Sequence, residues 1–214
     1  MSVTAPFASR FSPRLGSLKR VTALTGAGLL TAVGLAFAVP TSALAATYTC
    51  NGKVATIVGT ERSDDIEGTS GDDVIVGLGG HDEIDGNGGN DTICGNAGDD
   101  EIDGGSGNDW LQGSTGNDEI DGGSGNDRVF GSSGDDDLEG GSGNDLLDGY
   151  TGNDRLEGDS GKDRLYGKAG NDLLEGNGAS DKLSGGAGDD ITRQGSASDR
   201  VEDRWERQYR GDDD

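Results

Sequence analysis

The chain has 214 residues, of which 42 are glycine, and its 41 acidic and 17 basic residues leave a formal charge of −24. Only 30% of the residues are hydrophobic, so the composition excludes an ordinary globular domain built around a large apolar core. Low hydrophobicity with high net charge is typical of disordered chains, unless a regular repeat organises the sequence.

Residues 1–45 have the organisation of a secretory signal peptide. Four basic residues and no acidic one precede an apolar run over 21–39, and Ala43 and Ala45 then form an A-x-A cleavage site. The run is nearly long enough to span a bilayer, so a membrane anchor is the alternative to cleavage. No paired arginines precede it, which favours the general secretory route. We therefore expect a secreted, extracellular bacterial protein with a cleaved leader.

The charge of the mature chain bears on its partners. Removal of residues 1–45 takes away four of the 17 basic residues and none of the 41 acidic ones, which leaves a formal charge of −28. Such a chain repels nucleic acid and anionic membranes, so we expect neither as a partner. Cations are the partners that this charge favours.

Residues 46–58 are predicted to form an N-terminal cap segment. Residues 50–58 fit one degenerate unit of the repeat that follows, with Ile57 at its aliphatic position. Cys50 and Cys94 are the only cysteines, and an even count in an exported protein favours a disulfide over two free thiols. Closing a loop of this length would stabilise the fold by about 4 kcal/mol.

From Gly59 to Glu202 the chain divides into sixteen nine-residue units without insertion or deletion. Position one is glycine in all units except the last, and position eight is Ile, Leu or Val in all except one, which has Thr192. Position six is aspartate in every unit: Asp64, Asp73, Asp82, Asp91, Asp100, Asp109, Asp118, Asp127, Asp136, Asp145, Asp154, Asp163, Asp172, Asp181, Asp190 and Asp199.

This register resembles the RTX, or haemolysin-type, calcium-binding repeat GGxGxDxUx over residues 59–202. The resemblance implies an all-β fold, a right-handed parallel β-roll (a β-solenoid) of about eight coils, in which two units make one coil. It also implies that six residues of each unit form a calcium-binding turn and three form a short strand. Calcium would lie between turns of neighbouring coils, held by the position-six carboxylates and by backbone carbonyls.

The chemistry of the residues agrees with this resemblance. Glycine permits turns whose carbonyls point at an ion, and Ca²⁺ takes six to eight oxygen ligands of the kind that carboxylates and carbonyls supply. With one aliphatic residue per unit, apolar burial alone is small. We therefore expect a metal-free chain that is largely disordered, and folding that is coupled to Ca²⁺ binding.

Alternate units contribute to the same side of the implied roll, so partner aspartates lie 18 residues apart, as Asp82 and Asp100 do. Eight loops on each side would leave up to about 14 calcium sites. Position four departs from glycine at Arg62, Ala179 and Ala197, which leaves about 11 strong sites on this interpretation.

The two outer faces of the implied roll differ in chemistry. In the first five odd-numbered units, outward positions seven and nine are all acidic: Asp65, Glu67, Glu83, Asp85, Glu101, Asp103, Glu119, Asp121, Asp137 and Glu139. The even-numbered units present Val74, Val76, Thr92, Cys94, Trp110, Gln112, Arg128, Phe130, Leu146, Asp148, Arg164 and Tyr166. This even face is predicted to be a contact surface, unless a bridge from Cys50 lays Tyr48 and its neighbours over Val76 and Cys94.

Residues 203–214 are predicted to form a short C-terminal cap, because Val201, Trp205 and Tyr209 recur at helical spacing. The alternative is a frayed tail.

The leading functional hypothesis is a secreted calcium-binding protein that folds on export. The alternative is an extracellular interaction or adhesion protein, in which the roll is a rigid scaffold and Trp110, Phe130 and Tyr166 on the even face dock a cell-surface or protein partner. No catalytic constellation stands outside the repeats, and the only histidine, His81, occupies a loop position, so an enzyme is not expected. Ice binding is disfavoured, because Thr60 and Thr69 do not continue as threonine columns.

Overall fold

The computed structural model describes residues 47–195, together with the backbone of Arg20–Val21 and Arg200–Val201. The signal peptide lies outside the described residues except for Arg20–Val21, a strand that pairs with Asp65–Glu67. The C-terminal cap also lies outside them, so both segments stay predictions. Within the described part of the chain, no helix is long and apolar enough to cross a membrane.

The chain forms an all-β parallel solenoid of about eight coils, which confirms the fold class expected from the repeat. The odd sheet contains, in spatial order, β1 (Arg20–Val21), β5 (Asp65–Glu67), β7 (Glu83–Asp85), β9 (Glu101–Asp103), β11 (Glu119–Asp121), β13 (Asp137–Glu139), β15 (Arg155–Glu157), β17 (Leu173–Glu175) and β19 (Ile191–Arg193). The even sheet contains β4 (Ile57–Val58), β6 (Val74–Gly79), β8 (Thr92–Ala97), β10 (Trp110–Thr115), β12 (Arg128–Ser133), β14 (Leu146–Thr151), β16 (Arg164–Ala169), β18 (Lys182–Ala187) and β20 (Arg200–Val201).

The core lies between the two sheets and receives one aliphatic side chain from each unit as far as Leu183. Position eight is the middle residue of the first three in each strand, so its side chain points inward while its neighbours point outward. Strands pair with residues 18 apart, as in Ile84 with Ile102 and Ile93 with Leu111. The core residues are Ile57, Ile66, Ile75, Ile84, Ile93, Ile102, Leu111, Ile120, Val129, Leu138, Leu147, Leu156, Leu165, Leu174 and Leu183.

The three-residue strand implied by the resemblance holds for the odd sheet but is wrong for the even sheet. From β6 to β18 the even strands have six residues, because pairing continues through the first three positions of the next unit. Position two there has a positive φ, as in Leu78 (84°) and Tyr150 (69°). The longer strands add a third column of side chains, in which Leu78, Asn96, Ser114, Ser132, Tyr150 and Lys168 are in register.

A short hairpin of β2 (Thr49–Cys50) and β3 (Lys53–Val54) covers the first part of the even face. The Cys50–Cys94 disulfide is present, with a Cα–Cα distance of 5.8 Å, and it packs with Val76 in a small buried cluster. Ala55 rather than Tyr48 lies against this cluster, and Tyr48 remains 39% exposed. The cover expected near Cys94 therefore exists, although different residues build it.

Candidate metal site

Position-six aspartates line the loops at both edges of the sheets in two columns. Thirteen of them, every one from Asp73 to Asp181, are buried. Asp64 and Asp190 at the ends are partly exposed, and Asp199 lies outside the described residues. The structure brings together the carboxylates that the sequence pairs at a separation of 18, including Asp82 with Asp100 and Asp91 with Asp109.

One carboxylate oxygen of each pair links consecutive coils. The backbone N–H of Asp82 donates to Oδ1 of Asp100 at 2.9 Å, and the N–H of Asp91 donates to Oδ1 of Asp109 at 2.7 Å. The same bond recurs along both columns from Asp64 to Asp190. These bonds hold each carboxylate in a fixed place between two loops.

The second carboxylate oxygen is buried and has no hydrogen-bond partner. This is true of Oδ2 in twelve position-six residues: Asp82, Asp91, Asp100, Asp109, Asp118, Asp127, Asp136, Asp145, Asp154, Asp163, Asp172 and Asp181. A buried, unpaired carboxylate oxygen is costly. In the first coil, Oδ2 of Asp64 and Asp73 instead accepts the backbone N–H of Thr60 and Thr69. The recurrence of the unpaired oxygen in the units that follow indicates that a cation completes the structure.

Glycine at position one makes room for this oxygen. A Cβ built on Gly113 would overlap Oδ2 of Asp118 in the same unit, and a Cβ on Gly77 would lie 2.5 Å from Oδ2 of Asp82. Real Cβ atoms essentially never come within 3.0 Å of such a neighbour. The position-one glycines therefore form a cradle for the carboxylates, quite apart from any need for unusual backbone angles.

Position-four glycines bring backbone oxygens into the same loops. Gly98 has a φ of 135°, and a Cβ built on it would overlap the carbonyl oxygen of Gly80 in the preceding coil. Gly107 is placed in the same way against the carbonyl of Gly89. Each loop thus presents a carbonyl oxygen closely to its neighbour, and carbonyl oxygens are ligands that Ca²⁺ accepts.

Burial raises the pKa of the position-six carboxyl groups from Asp82 to Asp172 above their ordinary value of 3.8. Neighbouring carboxylates raise many of these pKa values further, while the N–H bond from the adjacent coil lowers them. The pKa is about 6 for Asp82, Asp91, Asp109, Asp136 and Asp145, and about 7 for Asp118, Asp127, Asp154 and Asp163. A bound divalent cation would oppose this shift and hold the carboxylates ionised.

A second column of loop bonds at position five was not found from the sequence. The side-chain Oδ1 of Asn108 accepts the backbone N–H of Asn126 at 2.9 Å, and Oδ1 of Asn126 accepts the N–H of Asn144 at 3.0 Å. These bonds run in the opposite direction to those of position six. The sequence did contain a signal for this column, because Asn or Asp recurs at position five, immediately before the aspartate of position six. His81 belongs to this column, since its Nδ1 is 3.0 Å from the backbone nitrogen of Asp99.

Side chains alone do not surround a cation in the described residues, where no three His, Cys, Asp or Glu side chains converge on one point. The position-six carboxylates are instead stacked in columns, one for each coil. Oxygen from the loop backbone would therefore supply most of the ligands. The buried unpaired Oδ2 atoms, the glycine cradle and the all-oxygen donor set fit a hard divalent cation such as Ca²⁺.

Comparison with known families agrees with this geometry. The model of the family described as the RTX calcium-binding nonapeptide repeat (4 copies) matches residues 58–93, 95–129, 103–138, 130–165 and 157–191, which is more than half of the chain. A comparison with curated proteins finds no significant match.

Proposed function

Because the chain belongs to the RTX calcium-binding nonapeptide repeat family, we propose that it is a secreted calcium-binding protein whose folding is coupled to Ca²⁺ outside the cell. The observation that carries this proposal is the row of twelve buried Oδ2 atoms without partners. Each would face a cation held between two loops of one column. The position-six aspartates from Asp64 to Asp199 would be the side-chain ligands, with up to about 14 sites.

The coupling of Ca²⁺ binding to folding follows from the negative charge of the position-six carboxylates. Without cations, the loops stack like-charged carboxylates at the spacing of neighbouring coils, about 4.8 Å. Ca²⁺ would remove that repulsion and satisfy the buried oxygens, so binding energy becomes folding energy. The low Ca²⁺ of the cytosol would keep the chain unfolded for export, and extracellular Ca²⁺ at about 1 mM would fold it.

No catalytic role is proposed. The RTX nonapeptide roll is generally a structural and binding unit, and His81 has a structural position in the loop column.

The test is far-UV circular dichroism of the mature chain, residues 46–214, titrated with CaCl₂ and then with EDTA, beside a MgCl₂ control. A cooperative, reversible gain of β signal with Ca²⁺ but not Mg²⁺ is expected, because Mg²⁺ demands octahedral geometry and gives up its water reluctantly. Absence of any change up to about 10 mM Ca²⁺, above the extracellular affinity range, would contradict the proposal.

Export has its own test. Mass spectrometry of the protein secreted by its native cell should find an N-terminus at Ala46, because the A-x-A site ends at Ala45. A chain that retains residues 1–45 and fractionates with the membrane would favour the anchor instead.

A second candidate function is favoured by one observation, a continuous row of aromatic side chains on the even face. Trp110 and Phe130 have ring centroids 5.3 Å apart, and Phe130 and Tyr150 have centroids 6.4 Å apart. We propose that this face docks a partner while the roll acts as a rigid scaffold. The variant Trp110→Ser, Phe130→Ser, Tyr166→Ser should lose binding to the native cell surface. Unchanged binding would end this proposal.

A further inference from the structure

The even face beyond the disulfide carries four aromatic side chains, here called the aromatic ladder: Trp110, Phe130, Tyr150 and Tyr166. They come from four consecutive even strands: Trp110, Phe130 and Tyr150 step diagonally across the face, and Tyr166 lies in the same column as Phe130. Lys168 joins Tyr150 and Tyr166, with its Nζ 5.9 Å and 5.1 Å from the two ring centroids. Tyr150 is 44% exposed, so the ladder presents ring surface to solvent.

Arginines lie beside the ladder without anionic partners. Arg128 and Arg164 are exposed and occupy the same column of the sheet, with Leu146 between them. Neither forms an ion pair or hydrogen bond through its side chain with another described residue. Arg155 on the odd face, by contrast, lies within 4 Å of the carboxylates of Asp137, Glu157 and Glu175.

The lack of carboxylate partners for Arg128 and Arg164 is unusual in so acidic a chain. With 41 acidic residues available, two guanidinium groups left unpaired on one face are free to bind an anion from outside. Asp148 is the one acidic side chain among them, and it is buried and 3.3 Å from Lys168. The face therefore combines aromatic surface with cationic groups and little opposing negative charge.

We propose that the aromatic ladder binds an extended anionic polysaccharide of the uronic-acid class. The rings would pack against the C–H faces of sugar residues, as amphipathic aromatic surfaces do. Arg128 and Arg164 would form charge-assisted hydrogen bonds with sugar carboxylates. This inference rests on the proposed docking function, and it names the chemistry of the partner.

Two observations favour this ligand over other anions. On a second copy, the acidic part of the odd face, from β5 to β13, could offer carboxylates to Arg128 and Arg164 but has no apolar surface for the rings of Trp110 and Phe130. A single-stranded nucleic acid could stack on such rings, but its dense phosphates would meet the field of a chain of formal charge −24. A uronate polymer combines apolar C–H faces with carboxylates, so it matches both the rings and the guanidinium groups of this face.

The experiment uses the Ca²⁺-saturated chain and hyaluronate and polyglucuronate oligosaccharides, with carboxyl-reduced hyaluronate as the neutral probe, in isothermal titration calorimetry. We expect binding of at least one acidic probe and about tenfold weaker binding of the neutral one, since a charge-assisted bond contributes about that factor. Arg128→Gln with Arg164→Gln should weaken binding by at least about tenfold, and Phe130→Ser with Tyr150→Ser and Tyr166→Ser should abolish it.

A matched control removes two positive charges elsewhere. Arg62→Gln with Arg193→Gln alters an exposed loop residue and an exposed residue of the odd sheet, and it should leave binding unchanged. Circular dichroism with Ca²⁺ must show that every variant is folded. If a ladder variant does not fold, Phe130→Leu with Tyr166→Leu is used in its place.

Several outcomes would overturn the inference. These are no binding of either acidic probe, equal binding of the neutral probe, equal loss in the control variant, or tighter binding of polyglutamate, single-stranded DNA or a second copy. If the serine variants lose cell-surface binding while no uronate probe binds, the docking function stands and the polysaccharide does not. If Ca²⁺ induces no folding, the calcium proposal fails first and by a separate measurement.

Discussion

Twelve of the position-six aspartates have two different environments within one carboxyl group. In Asp118, for example, Oδ1 accepts the backbone N–H of Asp100 at 2.9 Å, whereas Oδ2 is buried and unpaired. The hydrogen bond positions the group, and the free oxygen is available for a cation. Burial therefore has opposite consequences with and without metal, since it penalises the bare charge and strengthens its attraction to a bound ion.

Gly113→Ala tests the cradle under one such carboxylate. A methyl group there would overlap Oδ2 of Asp118, so the carboxylate or the loop must move. We expect the calcium-loaded roll to lose about 1–3 kcal/mol, as overpacked sites do, measured by chemical denaturation at saturating Ca²⁺. Gly71→Ala is the matched control, because a Cβ there meets nothing closer than 3.8 Å. Equal losses in both variants would argue against the cradle.

Glu139 on the odd face provides a pH test. Burial, and then the nearby carboxyl groups of Asp159, Asp121 and Glu157, raise its pKa from an ordinary 4.5 to about 8. Since the folded-state pKa exceeds the unfolded one, the stability that the proton contributes is fully present below 4.5 and is lost as pH rises through about 8.

Glu139→Gln should remove that dependence, because the amide carries no charge at any pH. Its melting temperature relative to the wild type should rise between about pH 5 and about pH 8.5, measured by thermal denaturation at saturating Ca²⁺. Glu119→Gln removes one charge from an exposed site on the same face and serves as the control. A difference between Glu139→Gln and wild type that does not change with pH would contradict the assignment.

At the scale of elements, the even strands and the covering hairpin shape one face of the roll. The six-residue strands extend the even sheet into the loops and present a third column of side chains, which the shorter odd strands do not. The hairpin uses one disulfide to cover Val76 and Cys94, and Lys53 donates from it to the buried Thr92 at 2.8 Å. The cover protects the first coils and leaves the aromatic ladder from Phe130 onward open.

Cys50→Ser with Cys94→Ser should release this cover. Closing a loop of 44 residues stabilises by up to about 4 kcal/mol, so a loss of about 2–4 kcal/mol is expected in chemical denaturation with Ca²⁺. Because Trp110 packs against the cluster, its fluorescence should shift to the red, measured in a Trp205→Phe background. An unchanged spectrum and stability would show that the hairpin holds without the bridge.

At the scale of the whole molecule, each coil is stabilised by its contacts with the neighbouring coils. The strand pairing and the position-six hydrogen bonds join residues 18 apart in neighbouring coils, so the roll behaves as a one-dimensional array. The two faces of that array are chemically separate, because alternate units supply them. An odd face that is acidic in its first five units and an aromatic, partly basic even face therefore lie on opposite sides of the same rod.

Asp118→Asn with Asp127→Asn tests this nearest-neighbour behaviour. The two changes weaken both loop columns at one level in the middle of the roll. Folding on Ca²⁺ titration should then separate into two transitions, or lose about half of its cooperativity, in circular dichroism. Glu101→Gln with Glu119→Gln removes the same charge from the outer face and should keep a single transition. One unchanged transition in the Asp variant would mean that coupling extends further than neighbouring coils.

Much of this molecule could be predicted from its sequence. The period placed Ile57 above Ile75, put all the core residues at position eight and paired the aspartates 18 apart. The six-residue even strands, the position-five column and the part played by Tyr150 were missed. Each of these depends on backbone angles at one loop position or on the direction in which a side chain turns, and the period does not encode either.

The sequence by itself determined the architecture, because in a solenoid the neighbours in space stand at one constant separation along the chain. The tertiary structure decided what lies beside what on its surface. It brought the Cα atoms of Cys50 and Cys94 to 5.8 Å from each other, and it left Oδ2 of twelve position-six aspartates unpaired. It also left Arg128 and Arg164 without carboxylate partners among the described residues. The physical reason is that a repeat specifies the backbone path, whereas side-chain orientation, burial and pairing arise only when separate coils come into contact.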